Sequence, residues 1–307
     1  MNYFEEFTGQ PQLTGPLNYM VHAAIREKKP VGHVLLTGPP GLGKTTVARL
    51  LAKATGARLV EIMAQGLDDP AALMNALLGL DDGDVLFLDE IHGLGRKAAE
   101  SVYTAMESGV LNVVTGDGPQ QYVKKHRLAP FTLIGATTEA GNLLKPLRDR
   151  FRWTGELRFY DVDSLAGIIR RASLAFNLDP ATAHYLAERS AGTPRRALRL
   201  LDNLNNYCMA TGQPQNYQSA ERAMKVFGVL PLGLGSTDVD ILRLLEKRGT
   251  LGVQAVASHL NLAGNVVEQG HEPLLLRLGL VTRTGRGRCI TPDGVRYLEE
   301  IDGTDTA

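Results

Sequence analysis

Up to about residue 157 the chain alternates short apolar runs with longer amphipathic stretches. Residues 34–37, 59–62, 85–88 and 131–136 are β-branched or bulky and are bounded by Gly, Pro or Asp, so each reads as a buried strand that ends at a polar cluster. Strands separated by helix-period stretches predict an α/β unit: a doubly wound parallel sheet with helices on both faces. Between the last two strands, residues 111–115 and 121–128 flank Gly116-Asp117-Gly118-Pro119, which predicts an inserted hairpin. Beyond Asp163 the strand pattern stops. Residues 164–175, 180–191, 194–210 and 219–229 read as four helices, with Pro180 and Pro194 in first turns, where the missing N–H costs nothing. Residues 230–235 read as a linker, followed by helices at 238–247, 253–259 and 266–278. Two strand-like pieces, 280–284 and 288–291, then surround Gly285-Arg286-Gly287. Three short helices closed by a hairpin predict a winged helix, with residues 302–307 a frayed tail. The expected division is a sheet domain over 1–157, a helical domain over 158–229 and a winged-helix domain over 230–302.

Composition narrows this picture only a little. The 307 residues are 44% hydrophobic, enough for a core in each of several units. Lys plus Arg (33) balance Asp plus Glu (33), so any nucleic-acid surface must be a local patch. Cys208 and Cys289 are far apart and form no metal-ligand spacing, which suits a reducing compartment. The N-terminus lacks a basic stretch followed by an apolar one, and no apolar run reaches the ~18 residues that a spanning helix needs. A cytoplasmic protein without membrane contact is expected.

The densest chemistry follows the first strand. Gly38-Pro39-Pro40-Gly41-Leu42-Gly43-Lys44-Thr45 satisfies G-x-x-x-x-G-K-[ST] between a strand and a helix. There the glycines let backbone N–H groups converge on phosphate oxygens, and the helix adds its positive end. Lys44 reaches the outer phosphates, and Thr45 is placed to ligate Mg²⁺. The strand at 85–88 runs into Asp89-Glu90. Asp89 fits as the second Mg²⁺-side group and Glu90 as the residue that polarises an attacking water. His92 reads as structural or as a partner of these acids. Phosphoryl transfer also needs polar and cationic groups at the γ-phosphate. Candidates in chain order are Thr138, Arg148 and Arg150 in Pro146-Leu147-Arg148-Asp149-Arg150-Phe151, and Arg195 in Gly192-Thr193-Pro194-Arg195.

This order of motifs resembles the AAA+ ATPases. Within them, Phe7-Thr8-Gly9-Gln10, the stretch His33 to Thr46, Asp89-Glu90-Ile91-His92, the stretch Pro130 to Thr138, the Arg148–Arg150 turn, Gly192-Thr193-Pro194-Arg195 and Arg283-Thr284-Gly285-Arg286-Gly287-Arg288 resemble the bacterial RuvB family, the Holliday-junction branch-migration motors. The resemblance implies an AAA+ P-loop domain, a helical lid and a C-terminal winged helix. It also implies hydrolysis of ATP with Mg²⁺ and a homo-hexameric ring on branched and duplex DNA, working with a RuvA-like junction-binding protein and a RuvC-like resolvase. By family position, Arg150 is an arginine finger donated to the next subunit, with Arg148 as runner-up, Thr138 the sensor and Arg195 the lid sensor. Nucleotide contacts implied in the same way are Gly41, Leu42, Gly43, Lys44, Thr45, Thr46, the main chain of Glu107, Ser108 and Gly109, and Tyr160.

For DNA, Arg283, Arg286 and Arg288 lie on a glycine-rich turn with no acid among them, and Arg283 and Arg288 match the family's DNA-contacting positions. Several positions depart from the family. Its adenine-enclosing Leu-Arg-Pro segment is not represented, leaving Tyr3 and Phe4 as candidates for that role. Glu139 stands where arginine is usual and Arg152 where glycine is usual. Residues 119–125 are unlike the strands that usually meet RuvA. The competing readings are a clamp-loader-type ATPase and a nucleotide-dependent scaffold that binds DNA without pumping it.

Overall fold

A strand buried on both faces must be apolar along its whole length, and β3 (Val85–Asp89) is apolar until its last residue: Val85, Leu86, Phe87 and Leu88 are all buried. It lies second in a five-stranded parallel sheet in a computed structural model that describes residues 2–67, 70–115, 122–174 and 178–304. The chain divides into two compact units. One runs through Ser164 and includes Thr193–Arg195; the other holds Leu165–Gly192 and everything from Arg196 onward.

In the first unit the elements follow as α1 (Pro11–Glu27), β1 (Val34–Thr37), α2 (Lys44–Thr55), β2 (Leu59–Met63), α3 (Pro70–Leu78), β3, α4 (Arg96–Ser108), β4 (Val110–Thr115), β5 (Tyr122–Arg127), β6 (Thr132–Thr137), α5 (Lys145–Arg148) and β7 (Trp153–Glu156). The sheet order is β2-β3-β6-β1-β7. Strand β6 therefore lies between β3 and β1, pairing Leu88 with Gly135 on one side and Thr37 with Thr137 on the other. Three strands thus end side by side, followed in sequence by the phosphate-type loop, by Asp89-Glu90 and by Thr138. One core cluster packs Leu35, Leu86, Leu88 and Leu133 against Leu73, Leu77 and Val102 from α3 and α4. The expected hairpin forms as β4 and β5, antiparallel from Val110↔Arg127 to Thr115↔Tyr122. Its turn, Gly116-Asp117-Gly118-Pro119, lies outside the described residues.

Strand β7 was not expected from the sequence. Trp153-Thr154-Gly155-Glu156 has neither an apolar run nor clean alternation, and its strand character comes from pairing in parallel with β1. Gly155 is needed there because a Cβ would collide with Leu13 and the Trp153 ring.

The second unit takes α6 (Val162–Ala172) from Leu165, α7 (Pro180–Glu188), α8 (Pro194–Thr211) from Arg196 and α9 (Tyr217–Val226). Asp179 caps α7 by accepting from Thr182 N at 2.9 Å, and Asn216 caps α9 from Ser219 N at 3.0 Å. The winged helix follows as α10 (Ser236–Arg248), α11 (Val253–His259), a π-helical turn (Val266–His271), α12 (Glu272–Arg277), β8 (Val281–Thr284), β9 (Gly287–Ile290) and α13 (Pro292–Thr304). The single helix expected over 266–278 is thus a wide turn leading into a tighter one. Pro273 lacks the N–H that would continue the preceding ladder, which accounts for the change of pitch there.

Two expectations are corrected. The segment 230–235 is not a free linker: Leu234 is in the winged-helix core, Pro231 O accepts from Tyr297 Oη at 3.0 Å and Gly233 O from Arg196 Nη2 at 2.5 Å. Nor does the tail fray from residue 302, because α13 continues to Thr304 and Asp302 pairs with Arg243 at 2.5 Å. Tyr297 and Leu298 put α13 into the core. Among the described residues, no helix is long and apolar enough to cross a membrane.

Because Leu86 is fully buried beneath the row of strand ends, Leu86→Ala is expected to cost about 3 kcal/mol. Urea unfolding checks it, as a lower midpoint at unchanged slope.

Candidate nucleotide site and basic wing

Residues 38–43 connect β1 to α2 and close the loop on itself. Gly38 N donates to Thr137 O at 3.2 Å, tying the loop to β6. Gly38 has φ 137°, and a Cβ there would strike Leu157 O, so no other residue fits. The Lys44 side chain is 7% exposed and folds back to donate to Gly38 O at 2.7 Å and Pro39 O at 3.1 Å. Burial pulls its pKa down; Glu90 and Asp89 pull it up, and Arg195 adds to the lowering. Those four charges therefore share one field. Arg195 is fixed beside the loop by its backbone N–H, which donates to Gly41 O at 3.3 Å, and its Cβ lies 3.0 Å from where a Gly41 Cβ would be.

Opposite the lysine, the end of β3 turns sharply. Glu90 takes a left-handed φ of 49°, and its N–H donates to Asp89 Oδ1 at 3.0 Å. Glu90 Oε2 then accepts twice from Thr138, from N at 3.2 Å and from Oγ1 at 3.0 Å. His92 supports the same corner, with Nδ1 2.9 Å from Thr137 Oγ1 and 3.4 Å from Glu90 Oε2, and Nε2 3.9 Å from Glu139. The departure at Glu139 thus puts a carboxylate on the far side of the His92 ring from Glu90.

The segment before α1 lies against the same loop. Tyr160 donates its hydroxyl to Leu42 O at 3.1 Å, and burial pushes its pKa up. Gln10 pairs with Arg158 as a backbone amide would, donating from Nε2 to O at 2.6 Å and accepting at Oε1 from N at 3.0 Å. The Phe7 ring packs against Gly43, 3.1 Å from where a Cβ would fall. Phe4, expected as a substitute around a base, is instead 1% exposed in the core and is corrected on that ground. Nothing local in the sequence indicates that Phe7 is the aromatic that turns toward the loop.

Arg150 is placed elsewhere. Its Nε and Nη2 donate to Glu107 Oε2 at 3.1 and 2.6 Å, its Nη1 to Pro146 O at 2.7 Å, and its Cζ lies 4.9 Å from the Tyr103 ring centroid. Among the described residues no contact joins it to Lys44, Asp89 or Glu90 of its own chain. Ser108 and Gly109 close α4, with Gly109 O accepting from Leu128 N at 2.8 Å. Arg148 is exposed. The sequence brought Glu107 and Arg150 into separate motifs, and their pairing across 43 positions carried no local signal.

On the wing, β8 and β9 pair Arg283 with Arg288 across the hairpin. The turn contains no acid, as expected, but the fold brings two to it. Glu272, 3% exposed, accepts from Arg283 Nε at 2.6 Å and from Arg288 Nε and Nη2, both at 2.9 Å. Glu268 lies 3.5 Å from Arg288 and 4.0 Å from Arg283. Burial raises the Glu272 pKa, but the two guanidinium groups outweigh it and hold the carboxyl below its usual range. Arg288 keeps 17% of its side chain exposed and Arg283 54%. Arg286 is exposed and meets no acid among the described residues.

Comparison with known proteins matches three family models in order along this chain. These are the RuvB Holliday junction DNA helicase P-loop domain over residues 1–157, the RuvB AAA lid domain over 160–229 and the RuvB C-terminal winged-helix domain over 231–299. The chain is 40% identical over 299 residues to the Holliday junction branch migration complex subunit RuvB of Picosynechococcus, covering 95% of this chain and 82% of that protein. To its counterpart in Corynebacterium diphtheriae it is 40% identical over 300 residues, covering 96% and 83%. Among solved structures, the Thermotoga maritima RuvB Holliday junction branch migration motor superposes with a TM-score of 0.82 at 33% identity, covering 97% of each chain.

Removing the Glu272 charge leaves the mostly buried Arg288 with only the half-exposed Glu268 opposite it among the described residues, so Glu272→Gln is expected to destabilise the winged helix by about 2–4 kcal/mol. Its depressed pKa places the corresponding stability above the unfolded value of about 4.3 and removes it as pH falls through the folded value. Thermal melts from pH 7 to pH 3 check both: the variant melts lower at pH 7, and the two curves converge toward pH 3.

Proposed function

The chain belongs to the RuvB family of Holliday junction branch-migration motors, and on that premise we propose how its residues divide the work of hydrolysing ATP and moving DNA. One observation carries the reading: the Lys44 loop, Asp89-Glu90 and Thr138 follow three adjacent parallel strands, with Arg195 held to the same loop. A triphosphate lying across those ends meets backbone N–H groups of residues 41–46 and the Lys44 ammonium. Lys44 exchanges its loop carbonyls for phosphate oxygens at little electrostatic cost. Thr45 and Asp89 form an oxygen donor set suited to Mg²⁺, which when bound neutralises charge between the outer phosphates. Glu90, held by the two Thr138 donors, orients the attacking water and accepts its proton. Tyr160 and Phe7 border the loop on the side away from the acids, in reach of the rest of the nucleotide.

Arg150 serves the site of the next subunit. Its own chain holds it against Glu107 and Pro146, away from the lysine, so its positive charge reaches a γ-phosphate across a subunit boundary. The assembly is a homo-hexameric ring in the cytoplasm, and the main chain of Glu107 to Gly109 lies on the same border. Hydrolysis that waits for a neighbour couples ATP turnover to motion around the ring. The wing contacts duplex phosphates. Arg286 and the exposed part of Arg283 meet DNA, and Arg288 supports them through Glu272. Phosphate contact is independent of sequence, as travel along any duplex requires. Relatives are named subunits of a branch migration complex, which supports a RuvA-like junction-binding protein and a RuvC-like resolvase as co-workers.

With protein, ATP and a synthetic four-way junction, separation into duplexes that requires hydrolysis is expected. ATP-dependent binding without strand separation would replace the motor with a scaffold. On the wing, Arg286→Ala is expected to weaken duplex binding evenly across sequences and to lower the salt slope by about 1, with melting unchanged. Arg288→Ala is expected to lower the melting temperature as well, since it leaves the buried Glu272 carboxylate with Arg283 as its one remaining guanidinium partner among the described residues. Binding isotherms at several salt concentrations separate the two.

A further inference from the structure

The guanidinium of Arg150 has five N–H donors. Nε and Nη2 use one edge on Glu107 Oε2, and Nη1 uses one donor on Pro146 O. Two N–H groups are left over, one on each terminal nitrogen, and these donors are free to meet phosphate oxygens. Tyr103 lies beneath the group at 4.9 Å and limits its tilt. Tyr103 and Glu107 are four residues apart on α4, so one helix face supplies both the floor and the side wall. Packing between α4 and α5 brings that face to the turn that carries Arg150. The Arg150 side chain is 28% exposed, so it is oriented by its neighbours without being closed off from solvent.

An arginine has several rotatable bonds, and an unheld finger would spend most of its time out of line with a phosphate. We infer that the Glu107 carboxylate is a positioning residue for hydrolysis in the adjacent subunit: it grips Arg150 by its inner edge and presents the outer N–H pair to that subunit's γ-phosphate. This rests on the reading of Arg150 as the finger. It goes beyond that reading by giving the Glu107 side chain a task separate from any main-chain contact at 107–109. The expectation differs from that for a latch, in which Glu107 would restrain the finger and its loss would speed turnover.

The test is steady-state ATPase of the full chain at saturating duplex DNA for four proteins: unsubstituted, Glu107→Gln, Arg150→Ala and the double variant. Sedimentation at the assay concentration checks that each assembles to the same size. Glutamine keeps the shape and the main chain and removes the charge. Glu107→Gln is expected to lower kcat about 10-fold with KM for ATP unchanged, because loosened alignment affects the transition state more than ground-state binding. The double variant is expected to match Arg150→Ala, because Glu107 acts only through the arginine. An equal further loss in the Arg150→Ala background, an unchanged kcat in Glu107→Gln, or a raised kcat would each overturn the inference. Arg150→Ala turning over at the unsubstituted rate would overturn the finger reading itself, a failure recognisable without reference to Glu107.

Discussion

A buried lysine ammonium is costly, and Lys44 is held in its loop by the Gly38 and Pro39 carbonyls while the two acids that stand opposite offset part of the cost of burial. That opposition is a product of strand order. The loop follows β1 and the acids follow β3, and β6 fills the space between them, so the cation and the carboxylates are brought within one field without touching. Thr138, at the end of the intervening strand, then fixes the direction of Glu90 through two hydrogen bonds. The rest of the first unit maintains this row. Leu35, Leu86, Leu88 and Leu133 fix the strands from below, while Tyr160 and Arg195 fix the loop from the side.

Charges at the two working edges of the molecule are organised by one device. Arg150 is tied to Glu107 on a neighbouring helix, and Arg283 and Arg288 are tied to Glu272 on α12. In each case a carboxylate takes part of a guanidinium and leaves the remainder directed outward. An arginine so held loses less conformational freedom when it meets a phosphate than a free one would. The wing pair goes further, because its carboxylate is buried and the arrangement contributes to folding as well as to presentation.

The sequence disclosed those parts that depend on local pattern. The apolar runs of β1, β3 and β6 and the glycine-framed lysine required only spacing and burial arguments, and the helices announced themselves with first-turn prolines. What it withheld depends on pairing at a distance. Trp153–Glu156 is a strand because β1 lies beside it, and its Gly155 reads as a break to any local rule. Residues 230–235 look like a linker from Pro and Gly content, but Tyr297 and Arg196 pin them from far along the chain. The helix Pro292–Thr304 was lost to its acidic, glycine-containing end. Glu107 and Glu272 were invisible as arginine partners because they sit on helices 43 and 11 positions from those arginines.

The account stands on the claim that a subunit's chemistry is completed by its neighbour, and mixing two disabled proteins tests that most directly. Glu90→Gln lacks the group proposed to orient water but still offers Arg150; Arg150→Ala keeps its own site but lacks the proposed finger. Each alone is expected to turn over ATP at a small fraction of the normal rate, and their mixture on duplex DNA is expected to recover a substantial part of it. A mixture no faster than the sum of its parts, at every ratio and with mixed assembly demonstrated, would contradict the account.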